Sequence, residues 1–379
     1  MIGLALSGGG SRAMAFHLGC LRVLCDLGIL ERIGVLSTIS GGSVIGAYYA
    51  YTPGKSFDHF ESQIRGVLRK GFQRRIALEL AKPKNLLPCL ASFILAQRQE
   101  AAAWLWKREP SRRRYPSRTD IFHRVLQRDL FTGLSLDSPR RNGIEIIIGA
   151  CDLRTGSAFR FGNHVSGSWR LGETITAEID VAFAVAASAA YPIFLPALDR
   201  TWRFRRKGQE REHRIVLTDG GLYDNLGVQV LEPGRNPEVS LHTFPCEYLI
   251  VCNAGHGQDS GEGIPMGFLT RVTRSFDVVH RRVQDAAMHH LHHLKESGLI
   301  KGFALPYLGQ QDDRLPWKPS CLIPREEVFK YPTDFAPMHD EWIDRLSGRG
   351  EQLTRLLVTH YLSELLDTPI RPSETTIER

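Results

Sequence analysis

The chain opens with Ile2-Gly3-Leu4-Ala5-Leu6-Ser7-Gly8-Gly9-Gly10-Ser11-Arg12, an apolar run of strand length that ends abruptly in three glycines. Beyond the glycines, Ala13, Phe16, Leu18, Leu21, Val23 and Leu24 recur at helical spacing as far as Gly28. The unit is strand, glycine turn, helix. A second copy follows at once: Ile33 to Ile39 is apolar, Gly41-Gly42-Ser43 breaks it, and Val44 to Tyr49 reads as a buried helix. Strands separated by helices must run parallel, because the helix carries the chain back along the sheet. The expectation is an α/β protein with a mostly parallel central sheet and helices outside it.

Later segments extend the pattern. Ile144 to Ala150 and Ala158 to Phe161 read as strands joined by the turn Asp152 to Gly156, and Ala184 to Ala190 as a small-residue helix stopped at Tyr191-Pro192. Ile215 to Leu217 is a strand ending in Asp219-Gly220-Gly221, Tyr248 to Cys252 another ending in Asn253-Ala254-Gly255. Helical periodicity resumes over 268–366, and the polar stretch 367–379 reads as a disordered tail.

With 379 residues, 42% of them hydrophobic and 23% charged, the chain has enough apolar surface for a large core. The expectation is one catalytic domain over 1–366, with a basic helical insertion over 55–130. Between residues 61 and 130 there are 16 Lys/Arg and 6 Asp/Glu. That excess of positive charge is larger than the net +7 of the whole chain, so the remainder is acidic on balance. Within 65–118 the basic clusters alternate with Leu86-Leu87, Phe93-Ile94-Leu95, Trp104 and Trp106. Cations beside Trp and Leu suit an anionic membrane surface; the competing reading is a solvated helical cap. No recognition motif accompanies the charge, so nucleic acid is not an expected partner.

The seven cysteines are scattered, with no CxxC pair of metal-ligand spacing, and most lie in apolar runs. The expectation is buried reduced thiols, no metal and no cofactor. Met1 leads directly into the first strand without a basic segment or cleavage site, and no apolar run approaches the roughly 20 residues that span a bilayer. The sequence therefore predicts a cytoplasmic protein, peripheral at a membrane if the basic segment docks there.

Three features carry chemistry. Ser43, in Gly41-Gly42-Ser43-Val44-Ile45-Gly46, stands between strand and helix, where it is either a helix N-cap or a nucleophile on a sharp elbow. Gly8-Gly9-Gly10-Ser11-Arg12 offers uncrowded backbone N–H groups for a developing oxyanion; a structural turn and a dinucleotide loop are the alternatives. The dinucleotide reading wants an acid at the end of the second strand, and Ser37-Thr38-Ile39-Ser40 has none. Asp219, at a strand end beside Gly220 and Gly221, can take a serine proton directly or can simply cap its turn. A Ser/His/Asp triad using His256 is a rival arrangement.

Taken in order, Ser7-Gly8-Gly9-Gly10-Ser11-Arg12, Gly41-Gly42-Ser43-Val44-Ile45, Ala187-Ser188-Ala189-Ala190-Tyr191-Pro192 and Asp219 to Gly227 resemble the patatin-like phospholipases. The resemblance implies a three-layer α/β/α fold and a Ser/Asp dyad without metal. It puts the nucleophile on Ser43, the base on Asp219 and the oxyanion donors on Gly8, Gly9 and Gly10, with Ser11 and Arg12 beside them. It implies hydrolysis of phospholipid or neutral-lipid esters of phospholipase A or lysophospholipase type, through an acyl-enzyme. The family's elbow usually reads G-x-S-x-G, and Ile45 stands where the last glycine belongs. A catalytically weak lipid-binding or regulatory relative is the alternative that this departure keeps open.

Overall fold

The computed structural model describes all residues except 53, 55, 108, 109, 111, 112, 142, 177, 193, 258–263 and 367–379, together with all side chains of the remainder but that of Leu269. The tail expected over 367–379 lies outside the described residues. From the N-terminus, strand β1 (Ile2–Leu6), helix α1 (Gly10–Asp26), strand β2 (Ile33–Ile39) and helix α2 (Gly41–Tyr51) form the two repeated units. Helices α3 (Phe57–Lys70), α4 (Gln73–Ala81), α5 (Pro83–Trp106) and α6 (Arg118–Asp129) then occupy the basic segment. Strands β3 (Glu145–Asp152), β4 (Ser157–Gly162), β5 (Ser166–Ser168) and β6 (Gly172–Thr174) precede helix α7 (Val181–Ser188). They are followed by β7 (Leu198–Arg206), β8 (Gln209–Asp219), the short helix α8 (Gly221–Asp224) and β9 (Tyr248–Cys252). Helix α9 (Phe268–Glu296), strand β10 (Gly302–Ala304), and helices α10 (Arg325–Val328) and α11 (Asp340–Tyr361) complete the described chain.

The sheet runs β10-β9-β1-β2-β3-β4-β5-β6-β7-β8, with β8 also pairing β3. The four pairings from β10 to β3 are parallel. The other six are antiparallel, and the β3–β8 pairing closes β3 to β8 into a six-stranded ring. The expectation of a mostly parallel central sheet in three layers is thus corrected. The protein is α/β, but a short parallel sheet shares β3 with an antiparallel barrel. The physical reason lies in the connections. Asp152 to Ser157 is a tight turn, too short for the crossover that a parallel neighbour needs, so β4 has to return antiparallel. Lys207-Gly208, with φ of 50° and 75°, likewise joins β7 to β8 as a two-residue hairpin.

In the parallel part the residues alternate between two apolar clusters, as a period of two requires. Leu4, Leu6, Leu36, Ile146, Ile148 and Ile250 face the cluster filled by α1, α2 and α11. Ala5, Val35, Ile147, Leu249 and Val251 face a second, smaller cluster with Leu226, Val228, Leu291 and Leu294. Arg349 of α11, fully buried, ties the C-terminal segments together. It donates to the carbonyls of Leu308, Ile323 and Gln310 at 3.0, 2.7 and 2.7 Å and pairs Asp312 at 2.9 Å.

The register fixes the site. Ile39, the last residue of β2, pairs Gly149 of β3, and the next β3 residue, Ala150, pairs Asp219 across the ring closure. The ends of β2 and β8 therefore flank the same point on β3, although 180 residues separate them in sequence.

Candidate functional site

Two consecutive strand ends build the floor. Where β1 stops, Ser7 is held by its neighbour β9: its N–H donates to Cys252 O at 3.1 Å, and its hydroxyl accepts the Ala254 N–H at 2.8 Å. The chain then turns through Gly9 at φ 143° and Gly10 at φ 61°, a left-handed path that a side chain would strain. A Cβ on Gly10 would also lie 2.2 Å from Asp334 O. Of the amides expected to face an oxyanion, Gly8 N–H is already given to Asn225 O at 3.1 Å and Ser11 N–H to Asp334 O at 2.7 Å. Among the described residues, the Gly9 and Gly10 amides meet no backbone acceptor. Arg12 lines the same cavity but is buried and committed to backbone acceptors, with Nε donating to Ala254 O at 2.9 Å and Nη1 to Tyr331 O at 2.8 Å.

The second strand end differs from the expectation drawn at Ser43. Ser43 lies inside α2 and is fully buried, its Oγ 2.8 Å from Ser188 Oγ, and it does not line the cavity. The residue on the elbow is Ser40, between β2 and α2, with φ 52° and ψ −116°. An L-residue in that region is strained, and such strain persists only where the surroundings enforce it. Here the Ser40 N–H donates to Ser188 Oγ at 2.9 Å, while its carbonyl accepts from Ser43 N–H at 2.9 Å and Val44 N–H at 3.3 Å. A Cβ on Gly42 would sit 2.3 Å from Leu6 O, so a glycine two residues after Ser40 lets the elbow pack on β1. The sequence held the signal: Ser40-Gly41-Gly42 is the S-x-G half of the elbow pattern, three residues before the Ser43 register.

Asp219 arrives at the same point from β8. Its N–H donates to Ala190 O at 3.1 Å, and the following Gly220 N–H to Ser188 O at 3.2 Å. The end of α7 thereby clamps both the serine elbow and the aspartate turn, with Ser188 touching each. Burial pushes the Asp219 carboxyl up to about 6; the Gly221 N–H, 2.7 Å away, and the Ser40 side chain act in the opposite direction. Asp224 and Asn225 shape the turn behind: Asp224 accepts from Gly227 and Gln229 N–H, at 3.0 and 2.9 Å. His256 takes a different post from the one a triad requires. It bonds Arg12 Nη1, Phe329 O and Thr333 Oγ1.

Gly8, Gly9, Gly10, Ser40 and Asp219 all line one cavity of about 830 Å³, large enough for a lipid-sized ligand. Leu80, Phe194, Leu222 and Phe276 give it apolar walls, and Arg118, Arg281 and Lys330 add positive charge.

The family description that matches this chain, over residues 4–231, is patatin-like phospholipase. The chain belongs to the patatin-like phospholipase family. Among solved structures, this family member is similar to the human GIVD cytosolic phospholipase A2, at 13% identity and a TM-score of 0.55, over 94% of this chain and 58% of that one. The same human enzyme in complex with methyl γ-linolenyl fluorophosphonate matches at 15% identity and a TM-score of 0.53, over 97% and 58%. VipD from Legionella pneumophila is also found, at 14% identity and a TM-score of 0.40, over 95% of this chain and 67% of that one. The chain spans about 58% of the length of the human structures, and the likeness shows a shared fold. No curated protein sequence matches. Among the described residues no helix is long and apolar enough to cross a membrane.

Proposed function

We propose that this patatin-like protein is a lipid acyl hydrolase in which Ser40 is the nucleophile and Asp219 its base. The observation that carries the reading is the strained Ser40 elbow, which opens into the cavity beside the Asp219 carboxyl. Asp219 accepts the hydroxyl proton as Ser40 Oγ attacks the ester carbonyl carbon. The carbonyl oxygen becomes an oxyanion stabilised by the Gly9 and Gly10 N–H groups, each worth about 3 kcal/mol in such a role. Collapse breaks the ester bond, and the alcohol leaves with the proton from Asp219. Water, deprotonated by Asp219, then attacks the acyl-serine and releases the fatty acid. Burial favours this assignment, because a carboxyl raised to about 6 is still ionised at neutral pH yet basic enough to hold a proton in transit.

The substrate reaches the cavity, in this reading, at a membrane surface. Helix α5 buries Asn85 and Ser92 but exposes Leu87, Leu90, Phe93, Leu105, Trp104 (83%) and Trp106 (65%). Lys84, Arg98 and Lys107 lie on the same helix or just past its end. An apolar stripe flanked by cations suits an anionic bilayer. The weak lipid-binding alternative shares the cavity and the surface but forms no acyl-enzyme. A fluorophosphonate probe decides: the wild type is labelled and Ser40→Ala is not. An unlabelled, folded wild type would sink the hydrolase reading.

A further inference from the structure

Behind the glycine loop, on the side away from the cavity, three metal-ligating side chains meet in the core. His17 and Cys20, three residues apart on α1, face Cys252 at the end of β9, and their donor atoms all lie within 4.8 Å of one another. All three are 0% exposed. Thr354 of α11, also fully buried, reaches the Cys20 thiol. Among the described residues, His17 Nδ1 and Thr354 Oγ1 make no hydrogen bond of ordinary geometry, and what they face is the Cys20 thiol. Buried polar atoms left so are uncommon.

We propose that His17, Cys20 and Cys252 bind one zinc ion, with the Thr354 hydroxyl completing a tetrahedral set. The histidine is already in the tautomer a metal needs. Its Nε2 lies 2.9 Å from Ser7 O, and a carbonyl only accepts, so Nε2 carries the proton and Nδ1 presents its lone pair. Charge selects the ion. Binding removes the two thiol protons to solvent, and two thiolates balance a divalent cation, so the core receives no net charge. A monovalent thiophilic ion on the same ligands would leave an uncompensated negative charge. Sulfur and imidazole donors also favour zinc over hard cations such as magnesium and calcium. Sequence spacing conceals the site, because Cys252 joins only when β9 pairs β1. The ion would brace the catalytic loop indirectly: His17 holds Ser7 O, and Cys252 O holds Ser7 N–H, immediately before Gly8.

The test uses the full chain, purified without chelator and analysed for metal by mass spectrometry. The expected result is roughly one zinc per folded chain, falling below roughly one tenth in Cys20→Ser and Cys252→Ser. Should those variants fail to fold, the wild type stripped of metal and reloaded with Co²⁺ gives a second readout. Sulfur-to-cobalt charge-transfer absorption in the near ultraviolet is expected at one equivalent and is to be displaced by Zn²⁺. A folded wild type that holds no zinc after reconstitution and shows no such band overturns the proposal. So does zinc that persists undiminished in both cysteine variants, or a Cys20–Cys252 disulfide in protein isolated under reducing conditions.

Discussion

The Ser40 N–H and the Ser43 hydroxyl converge on one atom, Ser188 Oγ, at 2.9 and 2.8 Å. One serine of the pair is thereby fixed at the mouth of α2 with its own hydroxyl left toward the cavity, and the other is consumed as a buried brace. Their substitutions separate cleanly. Ser40→Ala is expected to lose esterase turnover by at least about a thousandfold and to abolish fluorophosphonate labelling, while the fold is retained. Ser43→Ala is expected to keep the label and to lose about 1 kcal/mol of stability, the scale of one buried hydrogen bond. Intact-protein mass spectrometry after labelling, with thermal melts, reads both.

Ser188 follows from the same geometry. Ser188→Ala strips the acceptor from a buried N–H on the strained residue, which costs about 1 to 3 kcal/mol and frees the elbow to relax. The expected signature is a fall in kcat of about 10- to 100-fold with KM nearly unchanged, because the cavity wall is untouched. A change confined to KM would remove Ser188 from the positioning role.

The titration of Asp219 gives two opposite pH effects. In the proposed mechanism catalysis needs the ionised carboxyl, so kcat/KM is expected to climb with pH through about 6. Stability runs the other way. A carboxyl raised from the usual range of about 4 binds its proton more tightly in the folded state, so its stabilising contribution is complete below about pH 4 and is lost as pH rises through about 6. Asp219→Asn is therefore expected to be inactive yet the more stable protein at pH 7.5, by about 1 to 3 kcal/mol, with the gain shrinking toward pH 4. Paired denaturant melts at the two pH values check it.

How far the sequence could be read follows from what each feature depends on. Glycine turns after apolar runs are local, so the strand-turn-helix units at residues 2–26 and 33–51 and the turn after Asp219 are visible without a structure. The ring closure is not local. The β7 and β8 segment, Leu198 to Asp219, is dense in Arg and Glu, and its core-packed residues Leu198, Trp202 and Phe204 are diluted by charges such as Arg205, which pairs Glu173 and Glu210. Two serines border the same glycine pair, so the sequence pattern points to Ser43 whereas the proposed nucleophile, Ser40, stands three residues earlier. The folded structure distinguishes them: Ser40 has φ 52° and lines the cavity, while Ser43 is helical and fully buried.

The membrane reading makes α5 separable from the chemistry. Replacing Trp104 and Trp106 by Ser removes two exposed aromatic side chains far from Asp219 in sequence and burial, so the folded core is expected to be unaffected. Binding to vesicles containing anionic lipid is expected to fall by about tenfold and to weaken further as salt screens the neighbouring cations. Hydrolysis of a short-chain soluble ester is expected to be unchanged. Equal co-sedimentation of variant and wild type at low salt would return α5 to the role of a solvated cap.

The two readings of the elbow differ most sharply at Ile45. If Ser43 were the nucleophile, Ile45→Gly would restore G-x-S-x-G and raise activity. With Ser40 on the elbow, the pattern's final glycine is already present as Gly42, pressed against Leu6 O. Ile45 is then an ordinary core residue of α2, 0% exposed and packed in the large cluster. Its removal opens a cavity and places a glycine inside a helix, so Ile45→Gly is expected to lose about 3 to 5 kcal/mol of stability. The specific activity of whatever remains folded is expected to stay at or below that of the wild type. A gain in turnover per folded molecule would move the nucleophile back to Ser43, and Gly42→Ala supplies the converse. Its new methyl would collide with the β1 carbonyl at 2.3 Å, so the elbow cannot close and labelling at Ser40 is expected to disappear.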